Sequence, residues 1–464
     1  MKRLYTIPTF AIAILIIFFV GCKKLTDVVP PINRITSSQA FSNDESATEV
    51  INGIYSVASG SSNLLSGSTT IFAGLYADEL GYTGSTPGIT QFHTNTISSD
   101  NTTIRENFWG SAYNLMYSIN MSLEQLSNNK RLSETINNQL TGECKFLRAL
   151  LYFELIQFFG DVPLVTSSDH TINEVMPRTD RILIKQKILE DLKSAKDLLL
   201  PTYPTVEKIR ANKWAAVALL ARFYLYEGDW WNAEREATEL INTGIYHLES
   251  RADRVFLANS TEAIFQIRPV QKNYNTMEGN MLIPLGNAKP SYTLTPSLAG
   301  AFEPNDKRKT AWVTSSKPIG GVVYQYPFKY KQRSNFSDFK LSEYTTVFRL
   351  AELYLIRAES RAALNLLPGA ISDLDSIRYR AGLPLIAITN PNISAVDLLN
   401  AIQKERRIEL FAEWGHRWFD LKRTGKANET LAFKSKWTES DTLWPIPSSQ
   451  IGLNPALTQN SGYH

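Results

Sequence analysis

The part of the sequence that most constrains the fold is the segment 402–425, which mixes charged and aromatic side chains. Its first half has helical spacing, and its second half holds Trp414, Trp418 and Phe419. So much aromatic surface predicts that the segment is buried, and ions buried with it must pair. We therefore predict a structural network of ion pairs that fixes helix packing, with a catalytic pair of carboxylates as the alternative. The residues assigned to this network are Glu405, Arg406, Glu409, Glu413, Arg417 and Asp420.

The N-terminus has the features of a lipoprotein export signal. Two basic residues precede an unbroken apolar run over 10–20, and a glycine and a cysteine follow it. We predict a signal peptide over 1–21, lipid attachment at Cys22, and a tether over 22–35 that lifts the body off a membrane surface. The alternative is a short membrane anchor with an incidental cysteine, which the length of the apolar run disfavours.

Two C-terminal motifs are similar to those of a known family. The first contains ERR at 405–407 and RWFDLKR at 417–423, and the second contains WPIP at 444–447 and QNSGY at 459–463. Together they resemble the signature of the SusD/RagB family of outer-membrane nutrient-binding lipoproteins, with Ser461 where proline is usual. With the N-terminal signal included, the resemblance covers essentially the whole chain.

Helical periodicity runs through most of the chain. Residues 214–244 have the small residues and the turn glycine of a tetratricopeptide helix pair, and 348–381 form a weaker copy. Because the copies are not in tandem, we predict a mainly α fold in which pairs from separated parts of the chain form one right-handed stack, and the resemblance implies the same SusD-like architecture. The pairs predicted within a single domain, 36–464, are 37–58 with 105–128, 143–159 with 181–200, 211–228 with 230–243, and 344–366 with 368–381.

The helical signals fade over 245–342, where prolines and short alternating runs predict an inserted irregular region with small β-sheets. A second irregular stretch, 59–103, is rich in small polar residues, as functional loops often are. Aromatic side chains in such regions can pack on sugar rings while amides bind the hydroxyl groups, although a half-buried packing role is the alternative for each. The predicted ligand-binding residues, all expected in loops, are Tyr82, Asn101, Tyr274, Tyr292 and Trp312.

The sequence lacks the motifs of common enzyme classes. It has no HExxH, GxSxG, Walker A, Rossmann glycine or CxxC pattern, and its five histidines are scattered, so we predict no catalytic site, metal or cofactor and leave calcium open. The formal net charge is +3 without a long basic run, which gives no sign of a nucleic-acid partner. An α-helical glycosidase stays an alternative, because sequence spacing does not show how far apart two carboxylates lie across a cleft.

The resemblance implies a function without bond cleavage. A SusD-like protein is expected at the outer membrane, anchored through acylated Cys22 and facing the extracellular side. There it would bind oligosaccharide as a lid over a SusC-like TonB-dependent barrel and deliver the ligand to that transporter. A peptide-binding lid of the RagB type is the nearest alternative. A tetratricopeptide scaffold that only joins envelope proteins is a third, and it predicts no small ligand.

Overall fold

The structure, a computed structural model, describes residues 37–271, 273–318, 320–335 and 341–463. The predicted signal peptide, the tether and Cys22 lie outside the described residues and stay predictions. Each helix within the described ranges is too short or too polar to span a bilayer.

Helices dominate the fold. Of the residues that the structure describes, 54% are in helices and 8% in strands, which confirms the predicted mainly α class. Within the described ranges, the helices of eight or more residues are α1 (Asp44–Ala58), α2 (Ser68–Tyr76), α3 (Pro87–Thr94), α4 (Ser111–Leu126), α5 (Glu134–Phe159), α6 (Arg181–Leu198), α7 (Lys213–Tyr226), α8 (Trp230–Ile241), α9 (Leu350–Ala363), α10 (Leu367–Ala381), α11 (Ala395–Glu409) and α12 (His416–Arg423). Shorter helical segments are Ser37–Ala40, a π-helix at Ile104–Gly110, His170–Asn173, Ala252–Arg254, Met277–Leu282, Pro296–Ala299, Lys307–Trp312, Ile386–Thr389, Ala427–Leu431, Glu439–Thr442 and Ser448–Leu453.

The longer helices pack in pairs, and the pairs lie side by side. α1 packs on α4 and α5, α5 on α6, α7 on α8, and α9 on α10. Further contacts join α4 to α5, α6 to α7, α8 to α9, and α9 to α11. Small residues permit this close approach, since a Cβ atom added at Gly142 of α5 would lie 2.7 Å from Cγ of Leu199.

Buried ion pairs connect neighbouring helices of this stack. Arg222 of α7 donates to both carboxylate oxygens of Glu352 on α9, at 2.7 Å each. Arg148 of α5 donates to the two carboxylate oxygens of Asp191 on α6, at 2.7 and 2.9 Å. Because a buried charge that loses its partner is strongly destabilising, these pairs favour one packing arrangement over others.

The strands are short and form four two-stranded antiparallel sheets within the described residues. Six of the eight strands fall in the predicted insertion, 245–342, which confirms that this region contains small sheets. The pairs are β1 (Leu80–Tyr82) with β4 (Tyr292–Leu294), β2 (Ala263–Ile267) with β8 (Thr345–Arg349), β3 (Asn273–Tyr274) with β7 (Ser334–Asn335), and β5 (Val313–Ser316) with β6 (Tyr324–Pro327).

Two helices begin later than the sequence predicts. The predicted helix 37–58 is interrupted because Asn43 starts a new helix, with its side chain accepting a hydrogen bond from the Ser46 amide at 2.9 Å. The predicted helix 344–366 begins as strand β8, whose β-branched and aromatic side chains pair with β2. Helical periodicity does not detect this pairing, because the partner strand lies far away in the sequence.

Glu154 on α5 gives a testable pH dependence. It is fully buried, neither carboxylate oxygen has a hydrogen-bond partner among the described residues, and burial raises its pKa to about 8. An unfolded chain loses this proton near a pKa of about 4.3, so between these values the folded state binds the extra proton and its stability falls as pH rises. We expect Glu154→Gln to be more stable than the wild type at pH 8 in urea unfolding, with the advantage shrinking towards pH 5. A difference that does not change with pH would contradict this pKa.

Candidate functional site

The C-terminal end of α11 carries the centre of a buried ion cluster. Glu409 binds Arg349 at 2.6 Å, Arg308 at 3.0 Å, and Arg380. Glu413, which follows α11, binds Nε of Arg349 at 2.8 Å. The residues of this Glu409 cluster are Glu262, Asp306, Arg308, Lys329, Arg349, Arg380, Glu405, Glu409 and Glu413.

The electrostatics of the Glu409 cluster favour a structural role. Burial opposes ionisation of Glu409, but the positive charges of Arg380, Arg349 and Arg308 hold its pKa well below the usual value. A glycosidase acid needs a raised pKa and a cleft open to substrate, whereas Glu409 is 0% exposed. The geometry therefore supports ion pairs that hold elements together rather than a catalytic carboxylate pair.

The six residues predicted as one ion network divide among three clusters. The three glutamates belong to the Glu409 cluster. Arg406 binds Asp420 at 3.0 Å, and Arg423 binds the same carboxylate at 2.6 Å. Arg417 binds Asp78 at 2.7 Å, which connects α12 to the segment between α2 and β1. Sequence spacing alone could not separate these clusters, because their other members come from distant elements.

Trp312 is a core residue, and its assignment as a loop residue that contacts ligand is wrong. Its side chain is 0% exposed, it ends a short helix, and its Nε1 donates to the carbonyl of Ala252 at 2.7 Å. The Lys329 ammonium lies 4.4 Å from a ring centre of the indole, which therefore packs on the Glu409 cluster. Asp306 and Arg308, which precede Trp312 in the sequence, are buried in the same cluster.

Tyr82 and Tyr292 come together although they are far apart in the sequence. They face each other across the β1–β4 pair, with ring centres 5.8 Å apart and ring planes 35° apart. Tyr292 is buried, while Tyr82 is only half-buried and offers the accessible part of the pair. Both residues lie on strands and not in loops, because the short pairing of β1 with β4 is not visible in either segment alone.

Asn101 positions α3, a helix that contacts strand β1. It is buried, and its side-chain amide donates to the carbonyl of Gly88 at 3.0 Å and to Oε1 of Gln91 at 2.6 Å, both on α3. The side-chain oxygen Oδ1 of Asn101 accepts a hydrogen bond from the Thr103 backbone amide at 2.9 Å. These bonds hold α3 beside β1, so Asn101 supports the tyrosines rather than offering a free amide to a ligand.

Tyr274 lies elsewhere, on strand β3 opposite Ser334. It lines a cavity of about 10 Å³ with Gln271 and Thr345. A cavity of this size holds about one water molecule. The structure thus brings together two of the five predicted ligand residues, Tyr82 and Tyr292, and separates Tyr274 from them.

Residues that the sequence analysis did not assign extend the surface around Tyr82. The ammonium of Lys289 donates to the carbonyl of Thr83 at 3.1 Å and lies 5.6 Å from the ring centre of Tyr324 on β6. Tyr324 belongs to a run of alternating apolar and polar residues that is visible in the sequence. Nothing in the sequence around Lys289 indicates a place in this surface, because only the pairing of β1 with β4 brings Lys289 close to Thr83. The resulting tyrosine face consists of Tyr82, Thr83, Lys289, Tyr292 and Tyr324.

A groove of about 460 Å³ lies between the start of α4, the segment 163–174 and the segment 450–457. Trp109 and Tyr113 line it with ring centres 5.1 Å apart, and Tyr117, one turn further along, is 52% exposed. The predicted pairing of 105–128 with 37–58 gave no sign of this groove. Its aromatic lining suits a ring-shaped or apolar ligand and makes it a comparison site for binding experiments.

The described parts of the chain contain no group of three or more His, Cys, Asp or Glu side chains placed to hold a metal ion. Cys144 is buried, and burial raises the pKa of its thiol, which makes it a poor nucleophile. The candidate for a binding surface is therefore the tyrosine face, whereas the Glu409 cluster is buried.

Two family models match the chain in succession. A model described as starch-binding associating with outer membrane matches residues 26–225, and the SusD family model matches residues 305–463. The chain belongs to the SusD/RagB family. The second match contains every member of the Glu409 cluster except Glu262. SusD-like proteins are binding proteins that associate with the outer membrane.

Known SusD-like proteins resemble the chain over nearly its whole length. A SusD-like protein of Formosa agariphila is 27% identical over 97% of this chain and 98% of its own. A solved SusD superfamily structure from Bacteroides vulgatus has a TM-score of 0.77 at 21% identity, covering 91% of this chain and 100% of that one. A laminarin-binding SusD-like protein has a TM-score of 0.76 at 26% identity with the same coverage. These likenesses confirm the predicted SusD-like fold.

Proposed function

We propose that this protein binds oligosaccharides at the outer membrane and delivers them intact to a SusC-like TonB-dependent transporter. The observation that carries this proposal is the likeness to the laminarin-binding SusD-like protein, at 26% identity and a TM-score of 0.76 over the whole of that chain. The family model described as starch-binding supports the same class of ligand. Laminarin and starch are both polymers of glucose, so glucose oligosaccharides are the first ligands to test.

The tyrosine face is the proposed ligand site. Tyr82 presents part of its ring beside Tyr292, and the axial hydrogens of a pyranose pack on an aromatic face. At the edge, Thr83 and Lys289 supply hydroxyl, carbonyl and ammonium groups that can bind sugar hydroxyls. An open surface of this kind holds a ligand less firmly than a closed pocket, which suits a protein that must release the ligand to a transporter.

Lipid attachment at Cys22 and a partner barrel complete the proposal. Several acyl chains on one cysteine give stable anchoring where a single chain is marginal. Once the protein docks on a barrel, the effective concentration of ligand at the pore is high, so weak affinity suffices. We propose that the protein faces the extracellular side and needs no cofactor or metal ion for this task.

Replacing Tyr82 with alanine tests the ligand site. We expect the affinity for a glucose oligosaccharide to fall about tenfold, equivalent to ~1.4 kcal/mol, because the accessible ring is lost. Tyr82→Phe keeps the ring and removes only the hydroxyl, which accepts from the Thr86 amide at 3.2 Å, so its affinity should stay near that of the wild type. Isothermal titration with laminarihexaose and maltohexaose measures the affinity of both variants and of the wild type.

Tyr117→Ala, in the groove beside α4, is the control because it removes a tyrosine that is more exposed than Tyr82 and lies outside the tyrosine face. We expect it to bind glucose oligosaccharides like the wild type. Loss of binding in Tyr117→Ala but not in Tyr82→Ala would move the ligand site to the groove. Binding of oligopeptides but of neither glycan would favour a peptide importer, and absence of any small ligand would favour a scaffold. Shortened glycan products after incubation would show a glycosidase.

A further inference from the structure

A cavity of about 350 Å³ lies where the ends of α5, α7 and α12 meet the start of α6. It shares no lining residue with the tyrosine face. Four of its lining residues are basic, and Glu227 is the one acid among them. The basic residues that define this cationic cavity are Arg181, Lys185, Lys422 and Arg423.

Two of the four cations are neutralised within the protein. Lys185 binds Glu227 across helices at 2.8 Å. Arg423 binds Asp420 at 2.6 Å and Glu359 at 2.7 Å. These pairs fix the positions of Lys185 and Arg423 and neutralise their charges. The charges of Lys422 and Arg181 are not neutralised by these pairs.

Lys422 and Arg181 make no ion pair with a carboxylate in the parts of the chain that the structure describes. The Lys422 ammonium donates to the backbone carbonyl of Gln157 and lies 5.5 Å from the ring centre of Trp418. Burial and the nearby charge of Arg181 lower the pKa of Lys422 to about 7. The cavity therefore contains two basic side chains that have no carboxylate ion-pair partner among the described residues.

An unpartnered donor lies in the wall of the same cavity. The hydroxyl of Tyr226 is buried and has no hydrogen-bond partner among the described residues. The guanidinium of Arg423 lies 5.5 Å from the ring centre of Tyr226 and packs on it. Because this hydroxyl is buried, a ligand in the cavity meets the basic side chains that line it and not the hydroxyl of Tyr226.

We propose that the cationic cavity binds a small oxyanion, sulfate or phosphate, either free or as an ester on a sugar. Such an anion has several acceptor oxygens, which match the ammonium of Lys422 and the guanidinium of Arg181, two of the residues that line the cavity. A neutral ligand would leave both cations without a counter-charge. The inference is independent of glycan binding at the tyrosine face, because the two sites use different residues.

Isothermal titration at low ionic strength tests the site, with sodium sulfate, sodium phosphate, glucose 6-sulfate and glucose 6-phosphate as probes. We expect the wild type to bind at least one probe, and Lys422→Met and Arg181→Gln each to weaken binding about tenfold. Tyr226→Phe removes a buried hydroxyl that makes no bond within the described protein and does not reach the open part of the cavity, so it should bind the probes like the wild type. Arg251→Gln removes one positive charge from an exposed pair outside the cavity and should bind like the wild type.

Lys422→Arg keeps the charge and should retain binding, which guards against a Lys422→Met protein that does not fold. Binding of the sugar esters without the free ions would identify a modified glycan as the source of the anion. Binding of the free ions alone would identify a soluble anion. A wild type that binds none of the four probes, or Lys422→Met and Arg181→Gln variants that bind them as the wild type does, would overturn the proposal.

Discussion

Glu409→Ala is expected to lower the free energy of unfolding by about 3–5 kcal/mol or to prevent folding. The side chain is fully buried and binds Arg308, Arg349 and Arg380 together. Its removal leaves three guanidinium groups in the core with one fewer counter-charge, and the space is too confined for bulk water to replace it. Urea unfolding followed by tryptophan fluorescence measures the change, and the yield of folded protein gives a second reading.

Two further variants separate charge from volume at this position. Glu409→Gln keeps the shape and part of the hydrogen bonding, so it should cost less than the alanine variant but remain clearly destabilised. Arg251→Gln removes one member of an exposed pair with Asp253, and we expect an effect within about 0.5 kcal/mol. If the free energy of unfolding of Glu409→Ala lies within about 1 kcal/mol of the wild-type value, the cluster does not hold the fold together.

Trp312→Ala should also cost about 3–5 kcal/mol of stability, through the cavity that it leaves in the core. It removes the hydrogen bond to the Ala252 carbonyl and the indole face over the Lys329 ammonium as well. Because no part of the ring is exposed, the affinity of the folded fraction for a glucose oligosaccharide should not change. Urea unfolding and isothermal titration on the same preparation measure both quantities.

Trp312→Phe keeps an aromatic ring over Lys329 and loses only the Nε1 hydrogen bond and part of the volume, so its loss of stability should be smaller. Tyr82→Ala should show the reverse pattern, with weaker glycan binding and little loss of stability. A Trp312→Ala protein that is as stable as the wild type but binds glycans poorly would restore the tryptophan to the ligand site.

The helices that the sequence predicts best are those whose signal is local. α6 and the part of α5 from 143 to 159 have local apolar signals, and α7 with α8 shows the offsets of a tetratricopeptide pair, so the positions of these segments follow from residues close in the sequence, although α5 begins at Glu134, before its predicted start. Strand β8 was missed because Thr345–Arg349 becomes a strand only through its pairing with β2. The interruption before α1 depends on one side chain, Asn43, and is a capping effect that periodicity does not report.

The candidate site was harder to predict than the fold, and the five proposed residues show why. Tyr82 and Tyr292 become neighbours only when β1 pairs with β4, and Lys289 joins them by the same pairing. Trp312 and Asn101 lie among polar residues in the sequence, yet both are buried. Local polarity did not predict exposure there, because ions and amides can be buried once distant partners satisfy them.

The sequence by itself determined the family, the mainly α class and the burial of the charged segment around Glu409. Each follows from side chains that are close along the chain or from motifs with a fixed spacing. Three other features are seen only once the chain is folded. They are the pairing of each carboxylate with its guanidinium, the burial of Trp312 in the core, and the cavity that Arg181 and Lys422 share. These features depend on contacts between segments that are far apart in the sequence. Ion pairing and burial depend on how close two groups lie in space, which the spacing of residues along the chain does not show.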